Sequence, residues 1–191
     1  MSAATREQFI RDVLSNRINR AILANWSSFE LTDGWLVAGC LFQTAWNLRC
    51  GRAPEAGIKD YDIFYFDDRD LSAESEARVQ QRVNAVMGGL DATVEVKNQA
   101  RVHLWYEEHF GFPYDALASA ADGIDRFLVP ATCVGIRPSG PGYEVYAPNG
   151  LEIMYAGQLA PNPLTPHMSL FARKAASYKQ RWDWLQVRTS L

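Results

Sequence analysis

Two aspartates at the start of an apolar stretch are the residues of this sequence whose type and spacing best suit chemistry. Asp60 and Asp62 open the segment Asp-Tyr-Asp-Ile-Phe-Tyr-Phe, whose β-branched and aromatic residues favour a strand. Side chains alternate across a strand, so both carboxylates point to one face. Mg²⁺ takes hard oxygen ligands of this kind and joins them to substrate phosphates. An amphipathic strand with an acidic polar side is the other interpretation of so short a motif.

A third carboxylate lies on the next predicted strand. Ser72 is a predicted N-cap, and an apolar stripe that stops at Gly88-Gly89 predicts a helix after it. Residues 92–97 then alternate as a strand. A strand–helix–strand unit brings the second strand back beside the first or one removed from it, which places Glu95 near the two aspartates. We interpret the three carboxylates as a metal site; an exposed glutamate on an edge strand is the alternative.

A candidate anion site precedes the aspartates. Residues 35–38 predict a short buried strand that runs into Gly39-Cys40, and residues 41–48 predict a helix. The first turn of a helix offers unpaired N–H groups, and glycine lets a phosphate approach the backbone. A packing glycine is the other interpretation. Lys59, and Arg101 in the helix that Asn98 is predicted to cap, are candidate phosphate contacts.

Composition and charge exclude several classes of protein. The net charge of −3 over 191 residues provides no overall field that recruits nucleic acid, so any phosphate binding is local. Three cysteines without a C-x-x-C motif predict a reduced, cytoplasmic protein and no zinc site. Charges near the N-terminus argue against a signal peptide, and no apolar run reaches the roughly 18 residues that a membrane span needs.

The remaining patterns predict helices and one hairpin. Apolar residues at helical spacing predict helices over residues 5–26 and 117–128. Two short strands, 132–137 and 143–146, flank a Pro-Ser-Gly-Pro-Gly turn and predict a β-hairpin. A last helix is predicted from about His167 to Val187. Its interleaved basic and aromatic residues suit either a core stripe covered by lysine and arginine stems or a grip on single-stranded nucleic acid.

The order of these elements predicts an α/β (α+β) fold in which a small mixed β-sheet is flanked by helices. One domain is expected over residues 1–191. Its catalytic core is predicted at about residues 31–128, and the C-terminal hairpin and helix at about residues 129–191.

The motifs resemble those of the DNA polymerase β-like nucleotidyltransferase superfamily, which shows hG[G/S], then Dh[D/E]h, then a later acidic residue on a neighbouring strand. More narrowly, the chain resembles a bacterial group of short nucleotidyltransferase family proteins from about Gly39 to Val187. The segments that carry this likeness are residues 39–43, 57–67, 94–107, 132–136, 146–148 and 161–163.

The resemblance implies a minimal nucleotidyltransferase fold and a metal-dependent transfer of a nucleoside monophosphate from an NTP to an acceptor hydroxyl. Asp60 and Asp62 would bind two Mg²⁺ (or Mn²⁺) ions, and Glu95 would complete the metal that activates the acceptor. The triphosphate would lie against Gly39-Cys40. The acceptor is expected to be a small molecule, a protein or an RNA end.

Two departures from the superfamily pattern motivate an alternative. Cys40 stands where the pattern has serine or glycine, and the gap from Gly39 to Asp60 is longer than usual. A catalytically silent module that senses nucleotides or binds proteins would tolerate both.

Overall fold

The computed structural model describes residues 1–188, and a five-stranded sheet lies at its centre. The sheet order is β3-β2-β1-β4-β5. β2 and β3 are parallel, and the other neighbours are antiparallel. The strands are β1 (Trp35–Val37), β2 (Asp60–Tyr65), β3 (Thr93–Asn98), β4 (Gly135–Ser139) and β5 (Gly142–Tyr146). The predicted mixed sheet is therefore confirmed.

Helices surround this sheet. They are α1 (Ala3–Ser15), α2 (Arg17–Ala24), α3 (Gly39–Arg49), α4 (Ala73–Met87), α5 (Tyr106–Phe110), α6 (Ala120–Asp125), α7 (Leu151–Tyr155) and α8 (Met168–Arg181). Short 3-10 helices cover Trp26–Phe29, Gln99–Leu104 and Pro130–Thr132. A second, two-stranded parallel sheet pairs β6 (Gln158–Leu159) with β7 (Gln186–Val187). Across residues 1–188, none of the helices has the length and apolar character required to cross a membrane.

The single helix predicted over residues 5–26 is wrong, because Asn16 divides it. The side-chain oxygen of Asn16 accepts hydrogen bonds from the amides of Ile18 and Asn19 and so caps α2. Its side-chain nitrogen donates to the hydroxyl of Thr44 on α3, at 3.0 Å. A completely buried asparagine satisfied in this way holds the chain in an extended conformation between two helices.

Two other helices are shorter than predicted. The last helix ends at Arg181 instead of Val187, since Trp182 is extended and residues 186–187 form β7. The helix predicted over residues 117–128 covers only Ala120–Asp125, where Ser119 and Asp122 form a capping box. The predicted hairpin is present as β4 and β5, and its first strand pairs with β1, so it extends the central sheet.

Side chains of α4 cover the outer edge of β3. Gln80 donates to the carbonyl of Val94 and accepts from the amide of Val96, both at 2.8 Å. Glu76 accepts from the amide of Asn98 at 2.7 Å. These bonds satisfy the edge of β3 in the way that a further strand would, and they fix the backbone on both sides of Glu95. The predicted N-cap of α4 is confirmed, because the hydroxyl of Ser72 accepts from the amide of Ser75.

Candidate active site

The alternation of β2 separates its core residues from its carboxylates. Tyr61, Ile63 and Tyr65 are buried, whereas Asp60 is exposed and Asp62 is half-buried. The two aspartates open into a cavity of about 600 Å³ on their face of the sheet. This volume is within the usual range for small-molecule sites.

Glu95 lies on the same face of the sheet as the aspartates. In the parallel pairing of β2 with β3, the Cα of Asp62 is opposite that of Glu95. Burial, and then the charges of Asp60 and Glu95, raise the pKa of Asp62 to about 7. The topology thus brings the three sequence-predicted carboxylates together, close enough for their charges to interact.

The carboxylates do not yet form a closed set of ligands. Within residues 1–188, no three His, Cys, Asp or Glu side chains are close enough together to hold a metal ion. The Glu95 carboxylate is 3.9 Å from the Lys97 ammonium and is not part of the cavity lining. Asp60 and Asp62 fit a hard divalent cation by their chemistry, since their mutual repulsion is what such an ion would relieve.

The turn between β1 and α3 is strained at the edge of the cavity. The Cα of Val37 pairs with that of Asp62, so the start of α3 lies beside the carboxylates. Ala38 has φ 59° and ψ −131°, a backbone conformation that favours glycine. Ala38 and Gly39 both line the cavity. The backbone conformation that favours glycine therefore occurs at Ala38, one residue before Gly39, the glycine of the predicted anion-binding motif.

Cys40 does not present its thiol to the cavity. The side chain is completely buried, and its Sγ donates to the carbonyl of Val37 at 3.3 Å. Burial raises the pKa of the Cys40 thiol well above its ordinary value. Cys40 is also outside the cavity lining, so neither its thiol nor an exposed part of its backbone is placed to meet an anion there.

Replacing Ala38 by glycine is expected to stabilise the protein by about 1 kcal/mol. The strained backbone of Ala38 costs about 1–3 kcal/mol, and glycine removes this strain. Part of the gain is lost because glycine gives the unfolded chain more conformational entropy. Guanidinium denaturation of Ala38→Gly measures the change. Ala45→Gly, in the interior of α3, is the matched control and should destabilise the protein. An equal loss in both variants would contradict the assignment of strain.

The two predicted phosphate contacts have different surroundings. Lys59 lines the cavity, directly before the aspartates. Arg101 is outside the cavity lining: its Nη1 pairs with the carboxylate of Glu76, and its Nε donates to the carbonyl of Leu71 at 2.9 Å. The Arg101 side chain is largely buried in these contacts. It joins α4 to the chain after β3 and is not placed to meet a phosphate in the cavity.

One face of α8 forms a wall of the cavity. Its residues were not among the site residues predicted from the sequence. Its members recur at helical spacing and are Leu170, Lys174, Ser177, Tyr178 and Arg181. The positive charge of Lys174 partly offsets the rise in the pKa of Asp62, so its ammonium is within electrostatic reach of that carboxylate. The basic and aromatic pattern was visible in the sequence, but only the packing shows which side of the helix meets the aspartates.

Aromatic side chains supply the apolar part of the lining. Phe64 of β2 packs against Phe127 with ring centroids 5.5 Å apart, and Tyr106 packs against Phe110 at 4.7 Å. All four line the cavity together with Arg126. Carboxylates, cations and flat apolar surfaces therefore share one enclosure. A nucleotide presents the matching groups, because it joins a polyanion to an aromatic base.

Comparisons with known proteins identify a family and a shared fold. A family model described as nucleotidyltransferase matches residues 24–187. A solved NMR structure described as a CCA-adding enzyme head domain has 24% sequence identity and a TM-score of 0.77 to this chain, over 96% of each chain. At that identity the likeness shows a shared fold. The comparison with curated proteins yields no match.

Proposed function

Because the chain belongs to the nucleotidyltransferase family, we propose that its cavity transfers a nucleoside monophosphate from an NTP to an acceptor hydroxyl. The observation that carries the proposal is the entry of Asp60 and Asp62 into a cavity whose other walls hold Lys59 and Lys174. In phosphoryl transfer, positioning and electrostatic stabilisation supply most of the rate. Carboxylates that hold cations and lysines that bind phosphate oxygens are the groups that provide them.

The carboxylates are the proposed metal-binding and catalytic residues. Asp60 and Asp62 would hold divalent cations, Mg²⁺ or Mn²⁺, with Glu95 as the third ligand once it leaves Lys97. When bound, such cations stabilise the charge on the attacking oxygen and on the leaving pyrophosphate. The protein's own contribution is to hold the carboxylates on two adjacent parallel strands, the outer of which is bonded along its free edge by Gln80 of α4.

The proposed nucleotide site places the triphosphate at the start of α3. The start of α3 at Gly39, which lines the cavity, would offer the anion site, and Lys59 and Lys174 would supply positive charge. Cys40 was predicted to share in this site but is completely buried and outside the lining. Arg101 is left out of this set because its guanidinium is paired elsewhere. The aromatic wall formed by Phe64 and Phe127 would accept the base. The acceptor is a small molecule, a protein or an RNA end.

Loss of one carboxylate tests this proposal directly. Asp62→Asn is expected to reduce release of labelled pyrophosphate, from NTP in the presence of Mg²⁺ and a cell extract, by about a thousandfold. Titration calorimetry with Mg²⁺ and each NTP reports binding in parallel. Asp115→Asn, which changes an exposed carboxylate outside the cavity, is the matched control. Equal nucleotide binding and equal turnover by wild type and Asp62→Asn would contradict the proposal.

A catalytically silent nucleotide-binding module is the second candidate. The separation of Glu95 from the cavity lining, and its contact with Lys97, favour it. Such a protein would bind an NTP tightly without releasing pyrophosphate under any acceptor. Pyrophosphate release by the wild type that disappears in Asp62→Asn would exclude this candidate.

A further inference from the structure

Arg181 is a cation in the cavity lining that lacks an ion-pair partner in the part of the chain that the structure describes. It is the last residue of α8, and its side chain is partly buried. The ion pairs formed within residues 1–188 do not include it. Glu55, in the loop that Arg181 contacts, accepts instead from the amide of Arg17 at 2.6 Å. A partly buried charge without a counter-ion is costly, and a bound anion would remove that cost.

The surroundings of Arg181 hold its guanidinium in one place. Its Nη2 donates to the carbonyl of Ala56 at 3.4 Å, and its Cζ lies 4.1 Å from the centre of the Trp182 ring. Gly57 has φ 67°, and a Cβ built on it would approach the same Nη2 to 3.1 Å. Glycine at residue 57 therefore leaves room for the guanidinium. A cation that is already ordered loses less entropy when it binds a ligand.

Most donors of this guanidinium are still free to bind a ligand. Only Nη2 donates a hydrogen bond within residues 1–188, although arginine carries five N–H groups. Its Nε and Nη1 are not among the enclosed polar atoms of that part of the chain, in contrast to the Nε of Arg82. The unused donors of Arg181 can therefore be reached by an anion in the cavity.

A second arginine lies beside Arg181, just outside the cavity lining. The Nη1 of Arg52 donates to the backbone carbonyl of Arg181 at 2.7 Å. Burial lowers the pKa of the Arg181 guanidinium, Tyr178 opposes this change, and the charge of Arg52 adds to it. The ion pairs within residues 1–188 do not include Arg52 either. Two like charges held this close favour an anion between or beside them.

The position of Arg181 relates it to the proposed metal site. Lys174 and Arg181 are seven residues apart on one face of α8, which corresponds to two turns or about 10 Å. Tyr178 lies between them on that face. Burial raises the pKa of Tyr178, the charge of Arg181 opposes the rise, and the charge of Asp62 adds to it. Arg181 and Asp62 thus lie on opposite sides of one hydroxyl group, within electrostatic reach of it.

Arg181 lies at the end of the cavity where the proposed phosphate contacts are found. Its contacts with Ala56 and Gly57 are in the loop that leads through Lys59 into β2. The aromatic wall that contains Phe64 is farther along β2, beyond the aspartates. A nucleotide whose base meets that wall and whose metal-bound phosphate is at Asp62 would direct the rest of its phosphate chain toward Arg181.

We propose that Arg181 binds the terminal phosphate of the NTP and thereby selects triphosphates over shorter nucleotides. A guanidinium presents two parallel N–H donors, which match two oxygens of one phosphate group. Lys174, two turns nearer to the aspartates, would meet the phosphates that precede the terminal one. This inference rests on the proposed function, because it assumes that an NTP occupies the cavity.

Nucleotides of different length test the assignment. Arg181→Met removes the charge and keeps an unbranched chain beside Trp182. We expect its affinity for ATP with Mg²⁺ to fall about ten- to a hundredfold, the value of a hydrogen bond to a charged group, and its affinities for ADP and AMP to stay unchanged. Arg173→Met is the matched control, because Arg173 is exposed on the same helix outside the cavity lining and should leave all three affinities unchanged.

The lysine that lines the same wall provides a comparison. Lys174→Met should weaken ATP and ADP binding by the same factor, since both nucleotides carry the phosphates that it would meet. Arg181→Lys keeps the charge and the apolar stem, so it should remain folded even if Arg181→Met does not. It loses the paired donors and should bind ATP several-fold more weakly than wild type, with ADP binding unchanged.

Calorimetric titration of each nucleotide in the presence of Mg²⁺ measures these affinities. Equal ATP affinity in wild type and in both Arg181 variants would overturn the role of Arg181, and so would an equal loss of ATP and ADP binding. A wild type that binds ATP and ADP equally well would also overturn the selection while leaving the proposed function intact. Failure of the wild type to bind any NTP would instead overturn the proposed function.

Discussion

Asp62→Asn is expected to raise the free energy of unfolding at pH 8 by about 2 kcal/mol, although it should weaken the proposed transfer. In the folded protein, burial and the charges of Asp60 and Glu95 raise the pKa of Asp62 from 3.8 to about 7. Each unit of pKa is worth about 1.4 kcal/mol, which sets an upper limit of about 4 kcal/mol. We expect about half of this limit as the gain in unfolding free energy, because part of the Asp62 side chain reaches water, which screens the charges.

The sign of the pH dependence follows from the direction of this pKa change. Between pH 3.8 and about 7 the folded protein holds the Asp62 proton more tightly than the unfolded chain does. The free energy of unfolding contributed by this group is therefore fully present below pH 3.8 and is lost as the pH rises through about 7. Asparagine cannot ionise, so the advantage of Asp62→Asn over wild type should grow from pH 4 to pH 8.

Urea denaturation of both proteins between pH 4 and pH 8 measures this difference. Adding Mg²⁺ at pH 8 should stabilise wild type, because a cation that binds only the folded state shifts the equilibrium toward it, and should leave Asp62→Asn unchanged. Asp115→Asn controls for the loss of an aspartate. A difference between wild type and Asp62→Asn that stays constant from pH 4 to pH 8 would contradict the repulsion argument.

Local patterns were sufficient to predict the strand that carries the carboxylates. The alternation of Asp60 and Asp62 with Tyr61 and Ile63 specifies which side of β2 is buried, and no distant contact changes it. The caps provided by Ser72 and Asn98 were predictable for the same reason, since each bonds an amide within three residues. The strand–helix–strand unit allowed β3 to lie beside β2 or one strand removed, and the structure has the first arrangement, with Glu95 opposite Asp62. Glu95 is also on an edge strand with its side chain half-exposed, as the alternative interpretation had it.

Long-range contacts account for the features that the sequence did not predict. Asn16 caps α2 locally, but its burial between two helices is completed by Thr44, 28 residues away, which accepts from its side-chain nitrogen. Arg101 is withdrawn from the cavity by Glu76 on a different helix. The strain at Ala38 arises where β1 turns into α3, and the residue type gives no sign of it.

The cavity depends on how α8 is attached to α3. Trp46 of α3 is buried among the rings of Tyr178 and Trp182, at centroid distances of 5.5 and 5.3 Å. Its Nε1 donates to the carbonyl of Met154 at 2.9 Å. The next residue, Asn47, accepts from the indole of Trp182 at 3.1 Å. These contacts hold the helix that carries Lys174 against the helix that begins beside the aspartates.

Trp46→Ala is therefore expected to lower the free energy of unfolding by about 3–5 kcal/mol and to weaken nucleotide binding as well. The substitution leaves a cavity between the two helices and removes the donor from the Met154 carbonyl. Trp46→Phe keeps a ring and loses only the N–H, so it should cost less and remain folded for binding measurements. Guanidinium denaturation and calorimetry with ATP and Mg²⁺ report the two effects.

Trp105→Ala is the matched control, because this tryptophan is exposed and should cost no more than about 1 kcal/mol. A loss for Trp46→Ala no larger than that of the control would show that the aromatic cluster does not hold the helices together. If Trp46→Phe lowers stability but leaves nucleotide affinity unchanged, the position of α8 does not limit binding. A parallel loss of both would connect the packing of α3 against α8 to the charge that Lys174 supplies in the cavity.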